Sequence, residues 1–349
     1  MKRIYNILPP DPTAAQQARE HWDSIAKPLG SLGLLEDAIT RIAAIQNSPD
    51  VEIGKRAIVV MCADNGVICE GVSQSDSTVT AICTEAIAGG TANINPLAAC
   101  YGAEVLTVDI GVKATLSHPN LIDRKLSHGT ENIAEGPAMT TAQAQQAIRT
   151  GMDIVSDCKK NGFRLIVTGE MGIGNTTTAA AISAVLLGKS PEAVVGRGAG
   201  LSTDGLARKI DVLRRAIAVN QPDPQKPVEL LAKLGGYDIA GMVGLFLGGA
   251  YYRIPIVIDG MISAAAALLA YRIQPEVREY MLASHVSAEP IGSALLDALA
   301  LSPILTAQMR LGEGTGGAML LPLLDGALSV YRCAHRFSDT PIERYEKLI

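Results

Sequence analysis

The chain has 349 residues, 48% of them hydrophobic and 19% charged, with a formal net charge of −5. That composition excludes disordered and fibrous classes, and the length calls for one large core with a smaller companion. The negative balance and an aromatic share of only 4% remove the electrostatic and stacking reasons for binding nucleic acid, and nothing draws the chain to an anionic membrane. Six cysteines (Cys62, Cys69, Cys83, Cys100, Cys158 and Cys333) are scattered without a C-x-x-C pair. They read as reduced thiols of a cytoplasmic protein, not as a zinc framework. Pro9-Pro10 interrupts the N-terminal segment before a signal-type apolar core develops, and the apolar stretch 240–250 is glycine-rich and too short to span a bilayer.

In chain order, a helical pattern over 13–25 precedes a continuous apolar run at 57–61 that ends at Asp64. A helix follows over 78–89, then a strand at 104–110 closed by Gly111, a helix over 141–160, and a strand at 163–167 leading to Gly169. Helical patterns occupy 177–187, 205–220 and 228–234, and a fourth strand at 254–258 ends at Asp259. Helices over 261–271 and 276–285 come next, then helical segments at 304–310 and 318–337. Alternating short apolar runs and longer helices predict an α/β protein with a Rossmann-like parallel sheet flanked by helices, right-handed crossovers, and ligands gathered beyond the carboxyl ends of the strands. The terminal helical segments are not interleaved with strands. They predict a small helical domain of residues 1–26 plus 307–349 beside a large α/β domain of residues 27–306.

Three glycine-rich loops carry chemistry. The first, Thr168-Gly169-Glu170-Met171-Gly172-Ile173-Gly174-Asn175-Thr176-Thr177, lies between a strand and a helix, an arrangement that offers backbone N–H groups to a phosphate. Its spacing is that of a Walker A loop with Asn175 in place of lysine, which suits a monophosphate better than a triphosphate. The second, Arg310-Leu311-Gly312-Glu313-Gly314-Thr315-Gly316-Gly317, sets a carboxylate between glycines. It reads equally as a general base open to close approach or as an exposed Glu in a turn. The third spans Gly196, Gly198 and Gly200 without the spacing of a dinucleotide fingerprint; for Lys209 beyond it, an ordinary surface lysine outweighs an anion ligand. Asp64-Asn65-Gly66, Ser75 and the segment from Ser284 to Glu289 complete the polar candidates, and a buried or capping role for His285 outweighs catalysis. A P-loop-like nucleotide hydrolase remains a second reading at this point.

Taken together, Lys27-Pro28-Leu29-Gly30-Ser31-Leu32-Gly33, Ala63-Asp64-Asn65-Gly66-Val67, the loop from Gly169 to Thr177, the run from Arg214 to Pro222 and Met309-Arg310-Leu311-Gly312-Glu313-Gly314 resemble the nicotinate-nucleotide:dimethylbenzimidazole phosphoribosyltransferase family over residues of about 20 to 335. The resemblance implies transfer of ribose 5-phosphate from nicotinate mononucleotide to the lower-ligand base of a cobamide, with inversion at the anomeric carbon. It casts Glu313 as general base and Glu170 and Lys209 as its catalytic companions. Gly172, Gly174, Asn175, Thr176, Gly198 and Ser287 would hold the nucleotide, and Ser75, Cys83, Met171, Arg310 and Leu311 the base. It implies no cofactor and no metal: no pyrophosphate leaves, so no magnesium clamp is called for. Cys83 departs from the glutamine of well-known members, which leaves the base open among benzimidazoles, purines and phenolics. A homodimer, a heterodimer with a paralogous chain, and a non-catalytic paralogous subunit are further implications.

Overall fold

The computed structural model describes residues 6–198 and 200–345. Helices α1 (Pro12–Ser24) and α2 (Leu34–Gln46) lead into strand β1 (Arg56–Ala63), followed by α3 (Ser77–Ala88) and α4 (Ile94–Cys100). Strands β2 (Ala103–Gly111) and β3 (Leu121–Asp123) precede the long helix α5 (Thr141–Lys160), strand β4 (Leu165–Met171) and helix α6 (Asn175–Leu187). Helices α7 (Pro191–Val194), α8 (Thr203–Asn220), α9 (Pro227–Leu234) and α10 (Tyr237–Tyr252) come before β5 (Ile256–Ile258) and α11 (Met261–Ile273). Strand β6 (Met281–Ala283), α12 (Gly292–Ala298) and α13 (Thr315–Cys333) close the order.

The six strands form one parallel sheet in the order β3-β2-β1-β4-β5-β6. Every residue of β1 is buried, and the period of two divides its side chains between two cores. Ala57, Val59, Met61 and Ala63 face the layer of α5, α6, α10 and α11, whereas Ile58, Val60 and Cys62 face the layer of α2, α4 and α13. The strand order reverses direction between β1 and β4, the place where an open α/β sheet offers a crevice beyond its carboxyl ends.

Helix α5 begins with a capping box in which Thr140 and Gln143 satisfy each other's backbone N–H groups, and it ends on Lys159 and Lys160, placed well for the helix dipole. It crosses α10 with backbones almost touching: a Cβ on Gly151 would lie 2.0 Å from the Gly241 carbonyl oxygen. Helix α10 is buried from Tyr237 to Ala250, so the apolar stretch 240–250 is a core helix. Among the described residues no helix is long and apolar enough to cross a membrane. On the opposite layer α1 meets α13, where Trp22 stands edge-on to Tyr331 at 4.8 Å. The Ile25–Arg336 bridge joins the segments beyond those two helices.

Several boundaries differ from the sequence reading. Strand β4 starts at Leu165, not 163, and runs to Met171, so Gly169 and Glu170 are strand residues and the turn is confined to 172–174. The strand expected over 254–258 is limited to Ile256–Ile258. The helix expected over 276–285 is instead a 3-10 turn (Pro275–Tyr280) and strand β6, because pairing with β5 outweighs the helical propensity of the segment. Residues 304–310 are irregular: the backbone N–H groups of Ile304 and Leu305 bond the Ser284 carbonyl, and the Val286 N–H bonds that of Leu305. Strands β3 and β6, three residues each, were not anticipated.

Candidate active site

The carboxyl ends of β4, β5 and β6 open into a cavity of about 340 Å³. Glu170 and Met171 enter from β4, Gly172 to Thr176 from the turn and first residues of α6, Asp259 from beyond β5, and His285 and Ser287 from beyond β6. Met309 to Glu313, before α13, supply another wall, and Cys83 and Asn93 come from α3 and the start of α4.

Glu313 is held by its backbone as much as by its side chain. Gly312, Glu313 and Gly314 all have positive φ, at +91°, +59° and +87°. For a non-glycine residue this conformation costs on the order of 1 kcal/mol or more, and such strain concentrates at functional sites. Glycine in β4 lets the loop come this close: a Cβ on Gly169 would lie 2.8 Å from the Glu313 carbonyl oxygen. The carboxylate is buried, with 8% residual exposure. The Ile94 backbone N–H donates to its Oε2 at 3.0 Å and the Asn93 amide to its Oε1 at 3.3 Å. Nearby, burial and the charge of Glu313 push the Cys83 thiol up, so it stays a neutral, weak donor.

Another part of the cavity is built for an anion. Lys209 is 1% exposed, and its ammonium donates to Thr176 Oγ1 at 2.7 Å. Burial lowers its pKa to about 8, opposed by the charge of Glu289. Thr176 belongs to the first turn of α6, whose preceding residues Gly172 to Gly174 present the N-terminal end of the helix. Gly198 passes beside both groups, a Cβ there lying 3.2 Å from Thr176 Oγ1 and 3.5 Å from Lys209 Nζ. A cation, a hydroxyl and a helix N-terminus that converge on one point suit a phosphate.

Between these regions lies a set of buried carboxyl groups. Burial, then the charge of Asp238, raises the Glu170 pKa to about 8, against the hydrogen bond from Asn175. Burial raises Asp238 to about 6. Burial also raises Asp259, opposed by the charge of His285 and by backbone N–H donors, among them Gly317 at 2.9 Å. His285 itself is buried and lies 3.1 Å through Nδ1 from Ser284 Oγ.

Of the residues picked from sequence, Glu313, Glu170, Lys209, Gly172, Gly174, Asn175, Thr176, Gly198, Ser287, Cys83, Met171, Arg310 and Leu311 all line this one cavity. Ser75 does not; its neighbours Ser73 and Gln74 do. Sequence reasoning did not single out Asn93, Gln74, Arg197, Asp238 or Asp259's link to Gly317. No local pattern marks Asn93, Gln74, Asp238 or the Asp259 link, because each acts on a partner far away in the chain; Arg197 bonds the nearby Leu201 carbonyl.

A family described as phosphoribosyltransferase matches residues 7–342. The nicotinate-nucleotide–dimethylbenzimidazole phosphoribosyltransferase of Ruminiclostridium cellulolyticum is 45% identical over 333 residues, covering 95% of each chain. The enzyme of the same name from Acetivibrio thermocellus is 47% identical, over 93% of this chain and 92% of its own. This chain belongs to that phosphoribosyltransferase family. The crystal structure of CobT from Thermus thermophilus superposes with a TM-score of 0.91 at 40% identity, over 96% of this chain and all of the other. The nucleotide-hydrolase reading finds no support in these relatives.

Proposed function

We propose that the cavity carries phosphoribosyl transfer from nicotinate mononucleotide to an aromatic lower-ligand base, 5,6-dimethylbenzimidazole or a related benzimidazole, purine or phenolic. The observation that carries this reading is that one cavity is lined both by the Lys209–Thr176 anion corner and by the shielded Glu313 carboxylate. Lys209, Thr176, Gly174 and Gly198 receive the 5-phosphate, and Asn175 and Ser287 the ribose side of the nucleotide. Cys83, Met171, Arg310 and Leu311 flank the incoming base.

For a benzimidazole, the free ring nitrogen forms a bond to the anomeric carbon while the bond to nicotinate breaks. The electron pair of that bond neutralises the pyridinium ring, so the leaving group requires no proton. The second ring nitrogen gives its proton to Glu313, which passes it to solvent. Positioning of the two substrates contributes up to about 7–11 kcal/mol, and a placed carboxylate base adds about 10²- to 10⁴-fold. The neutral Cys83 thiol beside Glu313 offers the base a weak contact in place of an amide, which makes it the natural point at which base preference is set.

The reading includes a dimer, of two copies or with a paralogous chain, and a reducing cytoplasmic setting, to which the six free cysteines are suited. Purified protein is expected to release nicotinate from nicotinate mononucleotide only when an acceptor base is added. Release at the same rate without any base would overturn the proposal.

A further inference from the structure

Asp238 is fully buried in the first turn of α10 and does not line the cavity. It nevertheless meets Glu170 through a single atom. The side-chain nitrogen of Asn175 donates one N–H to Glu170 Oε2 and the other to Asp238 Oδ2, the latter at 3.0 Å. Two buried carboxylates on one amide cannot both be ionised without a large penalty, so the pair retains a proton over a wide pH range.

Donor supply decides where the proton sits. Asp238 accepts the Asn175 amide, its own neighbour's backbone N–H (Ile239, 2.9 Å) and a side-chain bond from Asn65. Glu170, among the described residues, takes its side-chain donor from Asn175. Hydrogen bonds to the ionised form favour it. The charge therefore stays on Asp238 and the proton on Glu170. The remaining groups around Glu170 reinforce this: Asp259 beyond β5 and Glu313 before α13 are both acidic. The cations that line the cavity are engaged elsewhere or lie outward. Lys209 of α8 donates to Thr176, Arg197 donates to the Leu201 carbonyl, and Arg310 is exposed. His285 beyond β6 faces Asp259, and Glu289 lies by Lys209.

We infer that Asp238 is a positioning residue that, through the Asn175 amide, makes Glu170 face the cavity as a neutral carboxylic acid. The inference deepens the phosphoribosyl-transfer reading and gives Glu170 a defined task in it. A neutral acid donates a hydrogen bond to a ribose hydroxyl or to the nicotinate carboxylate, where a second carboxylate anion would repel a substrate that already carries a phosphate and a carboxylate.

The decisive experiment needs no substrate. Protein labelled with carbon-13 in its glutamate carboxyls is titrated by NMR, with the Glu170 resonance assigned as the one absent from Glu170→Gln. The wild-type midpoint is expected above neutrality, to fall by about 1 unit or more in Asp238→Asn, and to return in Asp238→Glu. A wild-type midpoint in the ordinary glutamate range, or an equal midpoint in folded Asp238→Asn, overturns the inference; the wild-type titration decides even where the variant does not fold. In turnover assays the alkaline limb of kcat/KM moves to lower pH in Asp238→Asn, a shift that a purely structural role would not produce. A limb that stays in place while the resonance shifts also overturns the inference, because Glu170 then has no task in its neutral form. Absence of base-dependent nicotinate release would sink the transfer reading while the NMR midpoints stand on their own.

Discussion

Replacing Glu313 with glutamine tests the chemistry with little disturbance of the fold. The residue sits at φ +59° between Gly312 and Gly314, and glutamine takes that conformation at a similar cost. Its amide oxygen still accepts the Ile94 N–H that now reaches Glu313 Oε2 at 3.0 Å. The anion corner at Lys209 and Thr176 bonds within itself and is left intact, so nucleotide binding is preserved. What disappears is the proton acceptor. Loss of a placed general base costs about 10²- to 10⁴-fold in kcat, or about 2.7–5.4 kcal/mol of barrier. Steady-state rates with nicotinate mononucleotide and dimethylbenzimidazole, calorimetric binding of the nucleotide and a thermal melt together check this. A kcat reduced by less than about tenfold, with binding and melting unchanged, would refute the assignment of Glu313 as the base.

Lys209→Met removes the buried cation while keeping the stem's apolar contacts. The expected result is a rise in KM for nicotinate mononucleotide that exceeds any fall in kcat, with KM for the base unaffected; a change confined to kcat would remove Lys209 from the phosphate corner. Stability also carries a pH signature. Glu170 and Asp238 have folded pKa values of about 8 and about 6, raised from 4.5 and 3.8. The folded state thus binds more protons than the unfolded one, and their contribution, full below about pH 4, is lost as pH rises through those values. Melting temperature is expected to fall from pH 5 to pH 8 in the wild type and to fall less in Glu170→Gln. Equal slopes for the two proteins would contradict the burial argument.

The central strands were legible because their burial leaves no room for polar residues: β1 is apolar from Ala57 to Ala63, and β4 carries Leu165-Ile166-Val167. Helix α10 showed only as an apolar stretch, since a helix hidden on all sides has no amphipathic stripe. Three-residue strands such as β3 and β6 fall below the length at which periodicity can be read, and tertiary pairing turned the helical pattern at 276–285 into one of them. At the site, Glu313 and the 172–176 loop were marked by flanking glycines. Asn93, 220 residues from Glu313, and Asp238, 63 residues from Asn175, are tied to it only by the fold. Ser75, a polar candidate that the resemblance assigned to the base, lies just outside the cavity that its neighbours line.

The most direct measurement is the product itself. Nicotinate mononucleotide and dimethylbenzimidazole are incubated with the protein, and the product is identified by mass and by the NMR coupling of its anomeric proton. An α-configured riboside 5-phosphate formed mole for mole with nicotinate is the predicted result. Ribose 5-phosphate from hydrolysis, or a β-configured product, would contradict an inverting transfer between the Lys209 corner and Glu313.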